Sequence, residues 1–149
     1  MGSQSDYSVM NDCEKILKIL KIKYQVSIVS AHRTPKRMFE FAESAAKNGF
    51  AVIIAGAGGA AHLPGMVASL ATVPVIGVPI ESKKLKGLDS LLSIVQMPKG
   101  CPTATMAING AFNAGLHAAS IIGTFDLKVR SNLEKWKRLQ TKSVKKKPK

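Results

Sequence analysis

Phe50-Ala51-Val52-Ile53-Ile54-Ala55 runs directly into Gly56-Ala57-Gly58-Gly59-Ala60-Ala61-His62-Leu63-Pro64-Gly65. An unbroken apolar run of this kind suits a strand of a parallel sheet covered on both faces. The small residues after it let a ligand come close to the backbone, where N–H groups can donate to it. A tight turn would need the same residues, and His62 can either bind a ligand or brace the loop. The segment is not a Walker A loop, because no Gly-Lys-Ser/Thr follows, and it is not a clean GxGxxG fingerprint.

Working outward, apolar strands alternate with helical patterns. On the amino-terminal side, Val9, Cys13, Ile16, Leu17 and Leu20 recur at helical spacing behind Ser3, Ser5 and Asp6. Tyr24–Val29 reads as a strand rich in β-branched residues. Thr34 caps the next helix and Pro35 opens it. Met38, Phe39, Ala42, Ala45 and Ala46 form that helix's buried face, and Gly49 ends it. On the carboxyl side a short helix is expected around Met66–Leu70, a strand at Val73–Val78 and a polar loop at Glu81–Gly87. A helix at Leu88–Val95, a strand at Thr103–Ile108 and an alanine-rich helix at Asn113–Ile122 follow. A last helix runs from about Asp126 to Thr141, with Val129, Leu133, Trp136 and Leu139 on one side. Such alternation predicts a doubly wound α/β domain with a parallel sheet. Residues 1–141 are expected to form that domain, and 142–149, which carry no apolar stripe, are expected to be a basic, disordered tail.

The chain has 149 residues, enough for one domain with a substantial core. No apolar run is long enough to span a membrane, and the amino terminus does not read as a secretory signal. Two cysteines without CxxC spacing read as reduced structural thiols, which fits a cytoplasmic address. The formal net charge is +13, which favours an anionic partner such as a phosphate. Ten of the 22 lysines and arginines fall in residues 128–149, however, so the excess is largely a property of the carboxyl end.

In doubly wound sheets, ligands bind beyond the carboxyl ends of the strands. Three segments are expected to meet there. Gly2-Ser3-Gln4-Ser5-Asp6 precedes a helix and can cradle a phosphate on free N–H groups, or simply cap the helix. In Ser30-Ala31-His32-Arg33-Thr34-Pro35, His32 can exchange protons near neutrality and Arg33 can hold a phosphate bidentately. A histidine at a strand end can equally be a hydrogen-bonded structural residue. The third segment is Gly56–Gly65. His32, His62 and His117 are dispersed, with no Cys, Asp or Glu at ligand spacing, so no metal site is expected.

Together with Asp89-Ser90-Leu91-Leu92-Ser93-Ile94-Val95-Gln96-Met97-Pro98, these three segments resemble class I 5-(carboxyamino)imidazole ribonucleotide mutases, the PurE family, over about residues 1–140. Any one motif is weak, but four in this order are specific. The resemblance implies a flavodoxin-like three-layer α/β/α sandwich with an added carboxyl-terminal helix, assembled as a homo-octamer. It implies movement of a carboxylate from the exocyclic nitrogen to carbon four of the imidazole in purine biosynthesis, with no cofactor. His32 matches the catalytic proton carrier. Ser3, Asp6 and Arg33 match residues that bind phosphate and ribose, and Ser30, Gly58 and His62 match the surrounding pocket. Such a shift needs a proton carrier, a grip on the phosphate and exclusion of water.

Two departures from the family pattern stand out. Relatives carry an apolar strand just before Gly2, and the expectation here is a sheet lacking that first strand, with the natural reading frame extending upstream. The segment Ala107–Ala114 is about two residues shorter than in many relatives. Two other functions are compatible with the fold: a non-catalytic nucleotide- or flavin-binding module, and a nucleic-acid binder acting through its lysines. The first predicts flavin absorbance. The second predicts steeply salt-dependent binding that is lost without residues 142–149. No basic stripe interleaved with aromatics supports specific nucleic-acid binding.

Overall fold

The computed structural model describes residues 1–147. A short 3-10 turn at Gln4–Asp6 leads into α1 (Tyr7–Ile19) and then α2 (Pro35–Ser44). β1 (Ile53–Gly58), α3 (Leu63–Leu70), β2 (Val75–Ile80), α4 (Leu88–Val95) and β3 (Ala104–Thr105) follow, and α5 (Ala111–Ile122) and α6 (Leu127–Ser143) complete the chain. The three strands pair in parallel in the order β1-β2-β3, with Ile53 opposite Val75 and Ile76 opposite Ala104.

Strand side chains alternate between two helical layers. Ile53, Ala55, Ala57 and Val75 pack with Met38 and Ala42 of α2, Val67 of α3 and Ile94 of α4. Ile76, Val78 and Ile80 pack on the other face with Met10, Cys13 and Leu17 of α1 and Ala114 and Ala118 of α5. Glycine at position 56 is required by this second packing, since a Cβ there would run into the Met10 thioether. A third cluster, with Ile16, Leu20, Ala119, Val129 and Leu133, ties α6 to α1 and α5. Met38, Ile76 and Ile94 are fully buried, each contributing about 1.5–3 kcal/mol of transfer free energy.

Several expected elements shift. Tyr24–Val29 forms no ladder with β1, because a cavity of about 150 Å³ lies between them. Its pairing is instead with Met1: the Met1 amino group donates to Ser27 O, and Val29 N–H donates to Met1 O. β1 begins at Ile53 rather than Phe50. Phe50 and Val52 border the same cavity, while the small residues Gly56–Gly58 continue the ladder. β2 likewise runs two residues later than expected, and β3 is only two residues long. Phe39 and Ala46 of the second expected helix are exposed, as is Leu139 of α6. α6 continues through Lys142 and Ser143, two residues past the expected Thr141. Residues 148 and 149 of the expected tail lie outside the described residues. Among the described residues, no helix is long and apolar enough to cross a membrane.

Candidate active site

Three loops and two helix starts converge beyond the carboxyl ends of β1 and β2 around a cavity of about 450 Å³. Ser3, Asp6, Ser30, His32, Arg33, Gly58 and His62, the residues singled out from the sequence, all line it. His117 does not; it is exposed on α5.

Asp6 is buried at the base of the 3-10 turn, where Oδ2 accepts the Ser3 N–H at 2.9 Å. That bond fixes the turn and leaves the Ser3 and Ser5 hydroxyls, bonded to each other, at the cavity wall. Gly2 N–H donates to Gly56 O at 3.1 Å, which ties the amino-terminal segment to β1.

The second wall is a compact turn. Thr34 N–H donates to Ser30 O, Thr34 Oγ1 donates to the same oxygen, and Ser30 N–H donates back to Thr34 Oγ1 at 2.9 Å. Pro35 then starts α2 at its first turn, where a missing N–H costs nothing. Arg33 Nε donates to Ser30 Oγ at 3.4 Å, and its terminal nitrogen donates to Gly2 O at 3.2 Å. The exposed guanidinium is therefore held over the turn with donors to spare for an anion.

His32 Nε2 and His62 Nδ1 are 2.8 Å apart, with the rings almost perpendicular at 84°. His62 is placed by the start of α3, where Met66 N–H donates to its carbonyl. The two histidines come from loops 30 residues apart in sequence, so this contact is a product of the fold.

The glycine loop is held from behind. Ser90, fully buried on α4, accepts the Gly59 N–H at 2.8 Å and donates to Ile80 O at 2.6 Å. Gly59 has φ +68°, which glycine adopts without the steric cost of a side chain. Ser90 was visible only as part of the 89–98 motif, because a serine on an apolar helix looks like any small residue. Glu81, Ser82 and Lys83 complete the rim and were read from sequence only as a polar loop. Asn109 fixes Glu81 there by accepting its backbone N–H and donating to its carboxylate. The signal for Asn109 is conformational: it sits at φ +58°, a region asparagine tolerates better than most residues.

Residues 1–143 match the protein family described as AIR carboxylase. The chain is similar to N5-carboxyaminoimidazole ribonucleotide mutase of Escherichia coli (strain K12), with 54% identity over 146 residues covering 97% of this chain and 86% of that protein. The protein of the same name from Saccharolobus solfataricus is 63% identical over 123 residues, covering 83% and 78% respectively. The crystal structure of Treponema denticola PurE superimposes with a TM-score of 0.86 at 26% identity, covering 95% of this chain and 89% of that one. On the family match and on identities above one half, the chain belongs to the AIR carboxylase family.

Proposed function

We infer that this protein is an N5-carboxyaminoimidazole ribonucleotide mutase of purine biosynthesis, an isomerase that moves the substrate carboxylate from the exocyclic nitrogen to carbon four of the imidazole. The observation that carries this reading is the convergence of His32, Arg33, the Ser3–Asp6 turn and the glycine loop on one cavity. The mutases named above share more than half of their aligned residues with this chain.

The chemistry balances without a redox partner. The carbamate N–C bond breaks, carbon dioxide leaves, and the nitrogen takes a proton. Carbon four then attacks the carbon dioxide and gives up its own proton, so the net change is isomerisation. His32 is the proton carrier in this scheme, delivering one proton and recovering the other. Arg33 grips the phosphate, with the Ser3 hydroxyl beside it, and Asp6 supports the ribose end through the turn it caps. Ser30 braces the Arg33 guanidinium, and Gly58 admits the ring close to the backbone. His62 orients His32 through their shared hydrogen bond. Enclosure in the cavity keeps carbon dioxide near the ring carbon that captures it.

The described sheet also fits a flavodoxin-like sandwich without its first strand: one position lies between Tyr24–Val29 and β1, and Met1 bonds at its end. We further propose a homo-octamer acting in the cytoplasm. Leu88, Leu92 and Val95 form one exposed apolar face of α4, and Phe125 and Leu127 are exposed before and at the start of α6, which suits burial between copies.

A direct turnover assay on the carboxyamino substrate tests the function. Wild-type protein converts it without ATP or added metal, and His32→Asn loses nearly all turnover. An inactive wild type removes the enzyme reading, whereas an equally active variant removes only His32 as proton carrier.

A further inference from the structure

The last helix carries a charge pattern that the catalytic reading leaves unused. On α6, Lys128, Lys135, Arg138 and Lys142 stand at spacings of seven, three and four residues, so they share one side of the helix. All four are exposed. The opposite side is taken up by the chain's own core: Val129 and Leu133 are buried, and the Trp136 ring centroid lies 5.9 Å from that of Phe112. From Lys128 to Lys142 the stripe is ~21 Å long.

These cations are not neutralised from within. The only ion pairs among the described residues, Lys15 with Asp12 and Lys18 with Glu14, lie on α1. Glu134 is the one carboxylate within α6, and it joins neither pair. Arg130 is committed to its own chain, donating to Gly123 O and Thr124 O. Asn132 Nδ2 donates to Leu20 O at 2.9 Å, which seats α6 on the end of α1 and brings exposed Lys21 beside it. None of these cations lines the candidate active-site cavity, so their charge does not serve a ligand bound there.

The geometry discriminates among anionic partners. A lipid surface takes up a helix by its apolar face, and α6 already buries that face against α1 and α5. A single-stranded nucleic acid stacks its bases on exposed aromatic rings, and the one aromatic residue of α6 packs against Phe112. A disordered acidic peptide would first have to be ordered along the row. A duplex is already a rigid array: each strand presents a phosphate about every 3.4 Å of axis, so a stripe of ~21 Å faces about six of them.

We propose that the α6 stripe is a binding surface for the phosphate backbone of a nucleic-acid duplex, engaged without reading its bases. Lys128, Lys135, Arg138 and Lys142 make the contacts, and Lys21 extends them onto α1. The proposal does not depend on the catalytic reading, and its test does not use turnover.

The probes are fluorophore-labelled duplexes of DNA and of RNA, about 20 base pairs long, titrated with the full chain between about 50 and 200 mM KCl and followed by anisotropy. Binding should be saturable, change less than about twofold when the base sequence is scrambled, and weaken with salt at a log–log slope of about −4, as four or five phosphate contacts require. The tighter of the two probes identifies the kind of duplex. Lys128→Gln, Lys135→Gln, Arg138→Gln and Lys142→Gln combined should raise Kd at least about tenfold; glutamine is as good a helix former as lysine, so the variant keeps its fold. Lys36→Gln, Lys47→Gln, Lys84→Gln and Lys99→Gln combined remove the same charge from exposed positions elsewhere and should change Kd less than about threefold. No saturable binding to either duplex, a salt slope near zero, or equal losses in the two variants would each overturn the proposal. So would tighter binding, at equal anionic charge, to vesicles of phosphatidylcholine and phosphatidylserine in equal parts or to polyglutamate.

Discussion

His32 Nε2 lies 2.8 Å from His62 Nδ1, so one ring must donate and the other accept. This bond fixes the His32 ring while its other nitrogen stays free for a second partner. His62→Ala removes the brace and leaves His32, the proposed proton carrier, in place. The expected outcome is a fall in kcat of about 10²-fold, the scale of a misplaced catalytic group. His32→Asn should cost about 10²- to 10⁴-fold, the range of a lost general acid–base. Steady-state kinetics of both single variants and the double variant decide the point. Losses that add fully in the double variant would show that the two histidines act independently.

Arg33 reaches the cavity from a turn, but its guanidinium is fixed by Ser30 Oγ and Gly2 O. Lysine keeps the charge and loses the planar fork, so it cannot hold both partners and a phosphate together. Arg33→Lys should therefore raise KM by roughly tenfold while changing kcat less. Inorganic phosphate should also inhibit the variant more weakly than wild type. A variant with unchanged KM and unchanged phosphate inhibition would place the phosphate elsewhere in the cavity.

Ser90 couples stability to site geometry, because one hydroxyl holds both Gly59 N–H and Ile80 O. Ser90→Ala leaves two backbone groups without that partner in a fully buried position. Urea unfolding should show a loss of about 1–3 kcal/mol. The freed glycine loop should also raise KM at temperatures where the variant remains folded. Loss of stability with KM unchanged would confine Ser90 to packing.

Much of this was legible in the sequence because it is local. Thr34-Pro35 carries its own helix start, and α4 occupies the expected Leu88–Val95. The convergence of the candidate site residues on one cavity was legible because their motifs sit at strand ends, where a parallel sheet places ligands. Hydrophobicity was a poorer guide to strand limits, since it records burial rather than pairing. Phe50 and Val52 pack against the two core clusters without entering the ladder, whereas Gly56–Gly58 carry the ladder with almost no side chain. Tyr24–Val29 shows the same limit: its composition suits a strand, but a ladder also needs a neighbour at bonding distance. The His32–His62 bond and the Ser90 clamp depend on the meeting of distant segments, which no local pattern records.

Cys13 gives a pH-dependent prediction with a definite sign. Its thiol is buried on α1 between the sheet and α5, and desolvation pushes its pKa up from 9.0 to about 12. The thiol therefore stays protonated in the folded chain while the unfolded chain ionises from about pH 9. A folded pKa above the unfolded one means that this contribution is intact below pH 9 and is lost as pH rises toward 12. At pH 10.5 the loss is on the order of 2 kcal/mol relative to pH 8. Cys13→Ala has no such group, so its unfolding free energy should fall less over the same interval. Thiol labelling supplies a second readout: partly exposed Cys101 should react in the native state, and Cys13 only after unfolding. Equal pH dependence of wild type and Cys13→Ala, or rapid native labelling of Cys13, would show that water reaches the α1–α5 face.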